Sequence, residues 1–285
     1  DVYKRQVVHL NKIVSVEISR ISTGNSTSGT TATNKGIVTI TAKDNVGMVA
    51  ATKAGSTVKG EINQEGTVLV NAKESIGVAA VGTGAIANIK NGSITKAGDD
   101  DDDDAAAGTA SGASALFADD GGKVLAVTGA TIESANGGVG AYVTSKDNTG
   151  STGGTIEFNG ATINTKKRGL SFMADGEGSK IKFSGSTTGN ISDYGTVFYL
   201  KPVKTASSIT DTTNFNTTAS ILPAFTAMIN NYFSNLGNLT LNMNDKSNMV
   251  VTSYISGNVS DLTFSFQSLS DISDTFTNWP SLSNW

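Results

Sequence analysis

Short runs in which apolar residues alternate with small or polar ones recur along most of the chain. GIVTITAK, from Gly36, leads into VGMVA at 46–50, and thirty residues later GTVLVNAK, from Gly66, leads into IGVAA at 76–80. Looser copies of the second run are SALFA at 114–118, VGAYV at 139–143, LSFMA at 170–174 and TVFYL at 196–200. A period of two is typical of half-buried strands, and the return of the same unit indicates a repeat protein.

The spacing of the repeats predicts the architecture. The second residues of the six runs stand 30, 38, 25, 31 and 26 positions apart, as expected for solenoid coils that carry loops of variable length. Each unit holds three strand-like runs, which in the first unit are VTIT at 38–41, VGMVA at 46–50 and STVKGEI at 56–62. Three short strands per coil predict an all-β fold, a parallel β-helix, and the usual crossover rule makes it right-handed. An antiparallel β-sandwich would not explain the coil-length repeat.

Stacking of equivalent residues follows from this prediction. Alternate side chains point inward and lie about 4.8 Å from their equivalents one coil away. Val38 and Ile40 are expected to stack on Val68 and Val70. Val46, Met48 and Ala50 are likewise expected to stack on Ile76, Val78 and Ala80 inside the core.

The chain divides into four segments. DVYKRQ at 1–6 resembles a translated sequencing-adapter scar and is left out of the fold prediction. Residues 7–204 form the predicted β-helix, in which VVHLNKIVSVEI at 7–18 is interpreted as a damaged first coil. Residues 205–237 are a linker and a helix, and 238–285 hold further coil strands and a polar tail.

One segment has a helical period instead. Between Ile221 and Leu236 the apolar residues follow the i, i+3, i+4, i+7 rule, with Ser220 as a cap, Pro223 in the first turn and Gly237 as a stop. This amphipathic helix needs a docking surface, because an isolated helix of this length is marginal.

The recurring strand offers such a surface. If Leu116, Ala141, Phe172 and Phe198 point inward, the period of two turns the following residue of each copy outward. These four residues, Phe117, Tyr142, Met173 and Tyr199, are called the outward stripe. An exposed apolar stripe marks a partner surface or a surface covered from within the chain. The sequence favours a lateral cover by the helix 221–236 over a cap on the end of the solenoid, since strands resume after Gly237.

Composition narrows the chemistry. The net charge is -4, and residues 99–104 are an unbroken run of six aspartates within a predicted solvated loop at 97–112. This run lacks the alternating glycines of calcium loops, so no metal site is predicted. Neither the charge nor the composition indicates nucleic acid, and the chain has no cysteine for disulfides or thiolate metal sites. No apolar stretch is long enough to cross a bilayer.

No catalytic or cofactor-binding motif is found. Glu61, Glu157, Lys180 and Lys182 are scattered singly at outward positions, and the lone His9 gives a serine triad no credible base. No P-loop or dinucleotide fingerprint occurs. The sequence therefore predicts no enzyme and no cofactor.

The repeats GIVTITAKDNVGMVAA and GTVLVNAKESIGVAA resemble the passenger repeats of large autotransporter adhesins of the fusobacterial type, over about residues 36–200. The resemblance implies a surface protein of type V secretion, with a β-helical passenger carried outward by a C-terminal barrel. This chain shows neither signal peptide nor barrel and would be an internal fragment. The expected location is the cell surface, and the expected partner is a host or bacterial surface protein or glycan. The alternatives are a polysaccharide-degrading β-helix enzyme, such as a tailspike or lyase, and a pure structural spacer.

Overall fold

The computed structural model describes residues 16–17, 29–41, 45–52, 59–72, 74–95, 113–145, 152–176, 178–200, 232–244 and 247–252. These residues form short strands joined by tight turns, with one 3-10 turn at Leu236–Asn238. The strands are β1 Val16–Glu17, β2 Thr30–Asn34, β3 Ile37–Ile40, β4 Val46–Ala51, β5 Gly60–Gln64, β6 Thr67–Val70, β7 Ile76–Val81, β8 Ile86–Ile89, β9 Ser93–Thr95, β10 Ser114–Asp119, β11 Lys123–Val127, β12 Thr131–Ser134, β13 Val139–Val143, β14 Thr155–Asn159, β15 Thr162–Thr165, β16 Leu170–Ala174, β17 Lys180–Gly185, β18 Thr187–Ile191, β19 Thr196–Leu200, β20 Phe233–Ser234, β21 Leu239–Met243 and β22 Asn248–Thr252.

From β2 onward, every third strand belongs to the same sheet. Sheet A has the order β3-β6-β9-β12-β15-β18-β21, sheet B the order β1-β2-β5-β8-β11-β14-β17-β20, and sheet C the order β4-β7-β10-β13-β16-β19-β22. Each coil therefore contributes one strand to sheets B, A and C in turn, and strands of successive coils pair in parallel. The predicted parallel β-helix with three short strands per coil is confirmed; its handedness stays a prediction.

The register of the first coils agrees with the repeat. Val38 and Ile40 pair with Val68 and Val70, and all four are buried. The pairing of β4 with β7 also follows the prediction, with Val46 opposite Ile76, Met48 opposite Val78 and Ala50 opposite Ala80.

The prediction that Val46 and Ile76 lie inside the core is wrong, because both are only half-buried. The cause is the glycine that follows each of them. A Cβ built on Gly77 would lie 2.9 Å from Ile94 Cγ2 and 3.1 Å from Val70 Cγ2, so this position faces the interior. Strict alternation breaks at this corner, and Val78, the next residue, has no exposed surface.

The largest core side chains lie towards the C-terminal end of the solenoid. Small residues such as Ala80, Ala87 and Ala126 fill much of the core in the middle coils. Towards the C-terminal end the core contains five stacked phenylalanines, Phe158, Phe172, Phe183, Phe198 and Phe233, whose neighbouring ring centroids lie 4.7 to 6.4 Å apart. Edge-to-face pairs among them stabilise the core beyond simple burial.

Three local predictions are corrected. The strand predicted at 56–62 is Gly60–Gln64, while 53–58 lie outside the described residues. Val16 and Glu17 pair antiparallel with β2, so at these residues the chain does not form a preceding coil, whose strands would pair in parallel. The predicted helix does not reach Leu236, because Phe233 and Ser234 are the strand that starts the seventh coil in sheet B.

Other predictions fall on residues that the structure does not describe. They include the scar at 1–6, the aspartate run at 99–104, residues 221–231 of the helix and the tail after 252. In the chain, the aspartate run lies between β9 and β10, and 201–231 lie between β19 and β20.

Candidate functional site

The outward stripe is built by sheet C. Phe117 pairs with Tyr142, Tyr142 with Met173 and Met173 with Tyr199, so the four residues occupy one column of adjacent strands. Their neighbours on the inner side of the same strands, Leu116, Ala141, Phe172 and Phe198, are buried, as the alternation predicts. The stripe therefore faces away from the core.

The four side chains of the stripe are half-buried. The rings of Phe117 and Tyr142 meet edge to face with their centroids 5.4 Å apart. Members of a column stand about 4.8 Å apart, so each side chain covers part of its neighbours. Only the remaining part of each side chain is accessible to a partner. At the other end of the column Val49 is 44% exposed.

The cover of this stripe by the predicted helix 221–236 stays a prediction, and only its last residues are described. Phe233, near the end of the predicted helix, does not belong to such a cover: it is buried inside the solenoid, with its ring centroid 4.7 Å from that of Phe198 and 6.4 Å from that of Phe172. Phe225 and Ile229 lie outside the described residues, so a cover by 221–231 stays a prediction.

Sheet A presents a polar face with two regular columns. One column is an unbroken series of hydroxyl residues in register: Thr67, Ser93, Thr131, Thr162, Thr188 and Thr240. Beside it, Asn242 Nδ2 donates to Asn190 Oδ1 and Asn190 Nδ2 donates to Asn164 Oδ1, both at 2.9 Å. Because these amides satisfy one another, the column stabilises the stacking of three coils.

Sheet B carries the scattered charges. Glu61 and Glu157 lie in different columns and three strands apart, about 14 Å along the axis. Glycosidase carboxylate pairs are separated by roughly 5 to 10 Å, so these two acids do not form such a pair. Partial burial and the neighbouring Lys182 ammonium lower the pKa of Lys180.

Three stacked turns lead from sheet A into sheet C, and sequence reasoning did not single them out. In each, the last N–H donates to the first carbonyl, from Gly138 to Ala135 and from Gly169 to Lys166 at 2.9 Å and from Gly195 to Ser192 at 2.8 Å. Both central residues of each turn have positive φ: Asn136 and Gly137, Lys167 and Arg168, Asp193 and Tyr194. This is the pattern of type I′ turns. The available signal was the tripeptide ending in glycine before each recurring strand, NGG, KRG and DYG.

Neither a metal centre nor a spanning helix is found in the part of the chain that the structure describes. No group of three or more His, Cys, Asp or Glu side chains is placed to hold a metal ion there. Within the same residues, no helix is both long and apolar enough to cross a membrane.

Comparisons with known proteins identify no relative. No family model matches the chain, and no curated protein or solved structure matches it significantly.

Proposed function

We propose that this chain is a non-catalytic β-helical passenger segment of a bacterial surface autotransporter. It acts in adhesion, or as a stalk that presents loops and faces to host or neighbouring cells. The observation that carries the proposal is the regular stack of seven coils, whose strands form three parallel sheets along the solenoid. Such a body offers long lateral surfaces for contact with a partner.

The faces of the solenoid support contact over catalysis. The outward stripe is a half-buried apolar column, a surface suited to a protein or to the apolar face of a sugar. Glu61 and Glu157 of sheet B are too far apart for the paired-carboxylate chemistry of the alternative, a polysaccharide-degrading enzyme. The resemblance of the first two coils to autotransporter passengers adds the expected location at the cell surface.

To act as a stalk, the solenoid needs only to be long enough to hold other parts of the protein away from the cell. Seven coils span about 30 Å along the axis. A stalk and an adhesin make different predictions for the stripe, because only the adhesin uses its side chains.

Adhesion of beads coated with the purified chain tests the proposal. The beads should attach to epithelial or bacterial cells more than beads coated with an unrelated β-helix. The variant Tyr142→Ser/Met173→Thr should reduce attachment, whereas Thr131→Ser/Thr162→Ser on sheet A should not. If the parent attaches and the stripe variant attaches equally well, the contact with cells lies on another face of the solenoid. Absence of attachment to any cell type leaves the stalk role, and depolymerisation of a polysaccharide by the purified chain would overturn the proposal.

A further inference from the structure

The turn at 166–169 is built from residues that fit its backbone poorly. Lys167 and Arg168 have φ of 47° and 59°, and in the next coil Asp193 and Tyr194 have φ of 49° and 63°. Side chains with a Cβ disfavour this left-handed region, which glycine and asparagine tolerate best. The equivalent turn one coil earlier has Asn136 and Gly137, the preferred pair for a type I′ turn.

These side chains lie at the surface of the solenoid. Lys167 and Arg168 are exposed, and Tyr194 is 54% exposed. A strained backbone retained at an exposed position, where a neighbouring coil shows the unstrained solution, indicates that the side chains themselves are used.

The register brings four of these side chains together. Leu170 pairs with Thr196, so Arg168 and Tyr194 occupy equivalent turn positions in adjacent coils, as do Lys167 and Asp193. The Arg168 N–H donates to the Asp193 carbonyl at 3.0 Å and ties the two turns together. We call Lys167, Arg168, Asp193 and Tyr194 the turn ridge.

The ridge combines cations with an aromatic ring. Lys167 and Arg168 exceed the single negative charge of Asp193 by one. The adjacent Lys166 is already paired, since its Nζ lies 3.1 Å from Glu133 Oε2. A guanidinium binds a carboxylate or sulfate through two parallel hydrogen bonds, and a tyrosine ring offers an apolar face beside a polar tip.

We propose that the turn ridge binds an acidic sugar. A carboxylate or sulfate group contacts Arg168 and Lys167, and the sugar ring lies against Tyr194. The ridge spans two coils, about 5 Å from one turn to the next, which suits one or two sugar units. A stable protein interface buries above roughly 1,000 Å², more than these four side chains provide. This inference rests on the proposed adhesive function and names a ligand class for it.

Binding of defined glycans to the whole immobilised chain tests the ridge. The probes are a sulfated heparin oligosaccharide, a carboxylated oligogalacturonate and neutral dextran, with a poly-glutamate peptide as the protein-like competitor. At least one of the two acidic glycans should bind, and dextran should not. The variant Lys167→Asn/Arg168→Gly installs the turn of the preceding coil. It should bind the acidic glycan about tenfold more weakly or worse, yet unfold at the same or a higher urea concentration than the parent.

Two further variants separate the ridge from general charge effects. Lys123→Asn/Lys182→Asn removes the same charge from sheet B and should leave binding unchanged. Tyr194→Asn suits the turn and leaves both cations in place, and it should also weaken binding. If the sheet B variant loses as much affinity as the turn variant, binding is nonspecific electrostatics and the proposal is wrong.

The other outcomes of the binding experiment also test the ridge assignment. No binding of either acidic glycan, or unchanged binding in the turn variant, overturns the ridge assignment. Tighter binding of poly-glutamate through the same residues would assign the ridge to a protein partner. Bead attachment to cells without binding of an acidic glycan would leave the adhesive function standing and remove only the ridge. Binding of an acidic glycan without bead attachment to cells would support the ridge and count against the adhesive function.

Discussion

Asn34 Nδ2 donates a hydrogen bond of 2.8 Å to Gln64 Oε1 inside the solenoid, where neither side chain has exposed surface. Asn34 Oδ1 in turn accepts from the Gly36 N–H at 3.0 Å. These contacts fix the orientation of both amides. Within the described part of the chain, Gln64 Nε2 is left without a hydrogen-bond partner. The first two coils thus contain a buried polar pair that is only partly satisfied, where the later coils have apolar residues at the equivalent positions.

This pair predicts a non-additive effect on stability. Asn34→Leu should reduce the free energy of unfolding by about 2 to 3 kcal/mol, because it leaves the whole Gln64 amide buried without a partner. Asn34→Leu/Gln64→Leu should be more stable than the single variant by about 1 to 2 kcal/mol, since it removes the orphaned groups. Urea unfolding of the parent, both single variants and the double variant measures the coupling. Equal or greater loss in the double variant would show that the amides do not interact.

The inward-facing position of Gly77 predicts that charged substitutions at its two neighbours on β7, Ile76 and Val78, reduce the free energy of unfolding by different amounts. Val78→Asp places a charge in the core and should cost about 4 kcal/mol or more, or prevent folding. Ile76→Asp should cost only about 1 to 2 kcal/mol, because Ile76 is half-buried and the charge keeps access to water. Urea midpoints of the two variants decide between this picture and strict alternation, which would make the two costs similar.

The coil architecture could be predicted because the information is local and repeated. The near-identity of VGMVA and IGVAA specifies which residues become neighbours, since a register shift of one residue would turn every side chain to the other face. The inward position of Leu116, Ala141, Phe172 and Phe198 followed from the same period of two. Gly77 escaped the prediction because a residue without a side chain adds nothing to a hydrophobic pattern, yet it occupies an inward-facing position there.

The residues around Phe233 were mispredicted for a different reason. Phe233 and Leu236 fit the helical spacing of the residues before them, and β20 has only two residues, too few to show a period of two. Its conformation depends on pairing with β17, a contact between distant parts of the chain. The turn ridge was missed because Lys-Arg and Asp-Tyr are not signatures of turns with positive φ, which are normally recognised by glycine and asparagine.

Tyr232 predicts a loss of stability at alkaline pH. Its side chain is buried, and this burial, together with the negative charge of Asp175, raises the pKa of the phenol above its usual value. The folded state therefore favours the neutral phenol. The stabilising contribution is fully present below pH about 10, the unfolded value, and is lost as the pH rises beyond it.

Urea unfolding of the parent between pH 8 and about 11 should show this decline. Tyr232→Phe should flatten it, while the matched variant Tyr194→Phe should keep it, because Tyr232 is still present. An unchanged slope in Tyr232→Phe would assign the alkaline loss to other groups.

The positive φ of Arg168 predicts that its substitution by glycine stabilises the fold. At φ 59° the arginine backbone is strained, and glycine adopts this conformation without a steric cost. Relief of about 1 to 2 kcal/mol is partly offset by the greater freedom of glycine in the unfolded chain, so Arg168→Gly should stabilise the fold by about 0.5 to 1 kcal/mol. Arg168→Ala is the matched control, since it removes the same side chain but keeps the Cβ and should give no gain. The urea midpoints of the two variants provide the test, and equal midpoints would show that the turn is not strained at this residue.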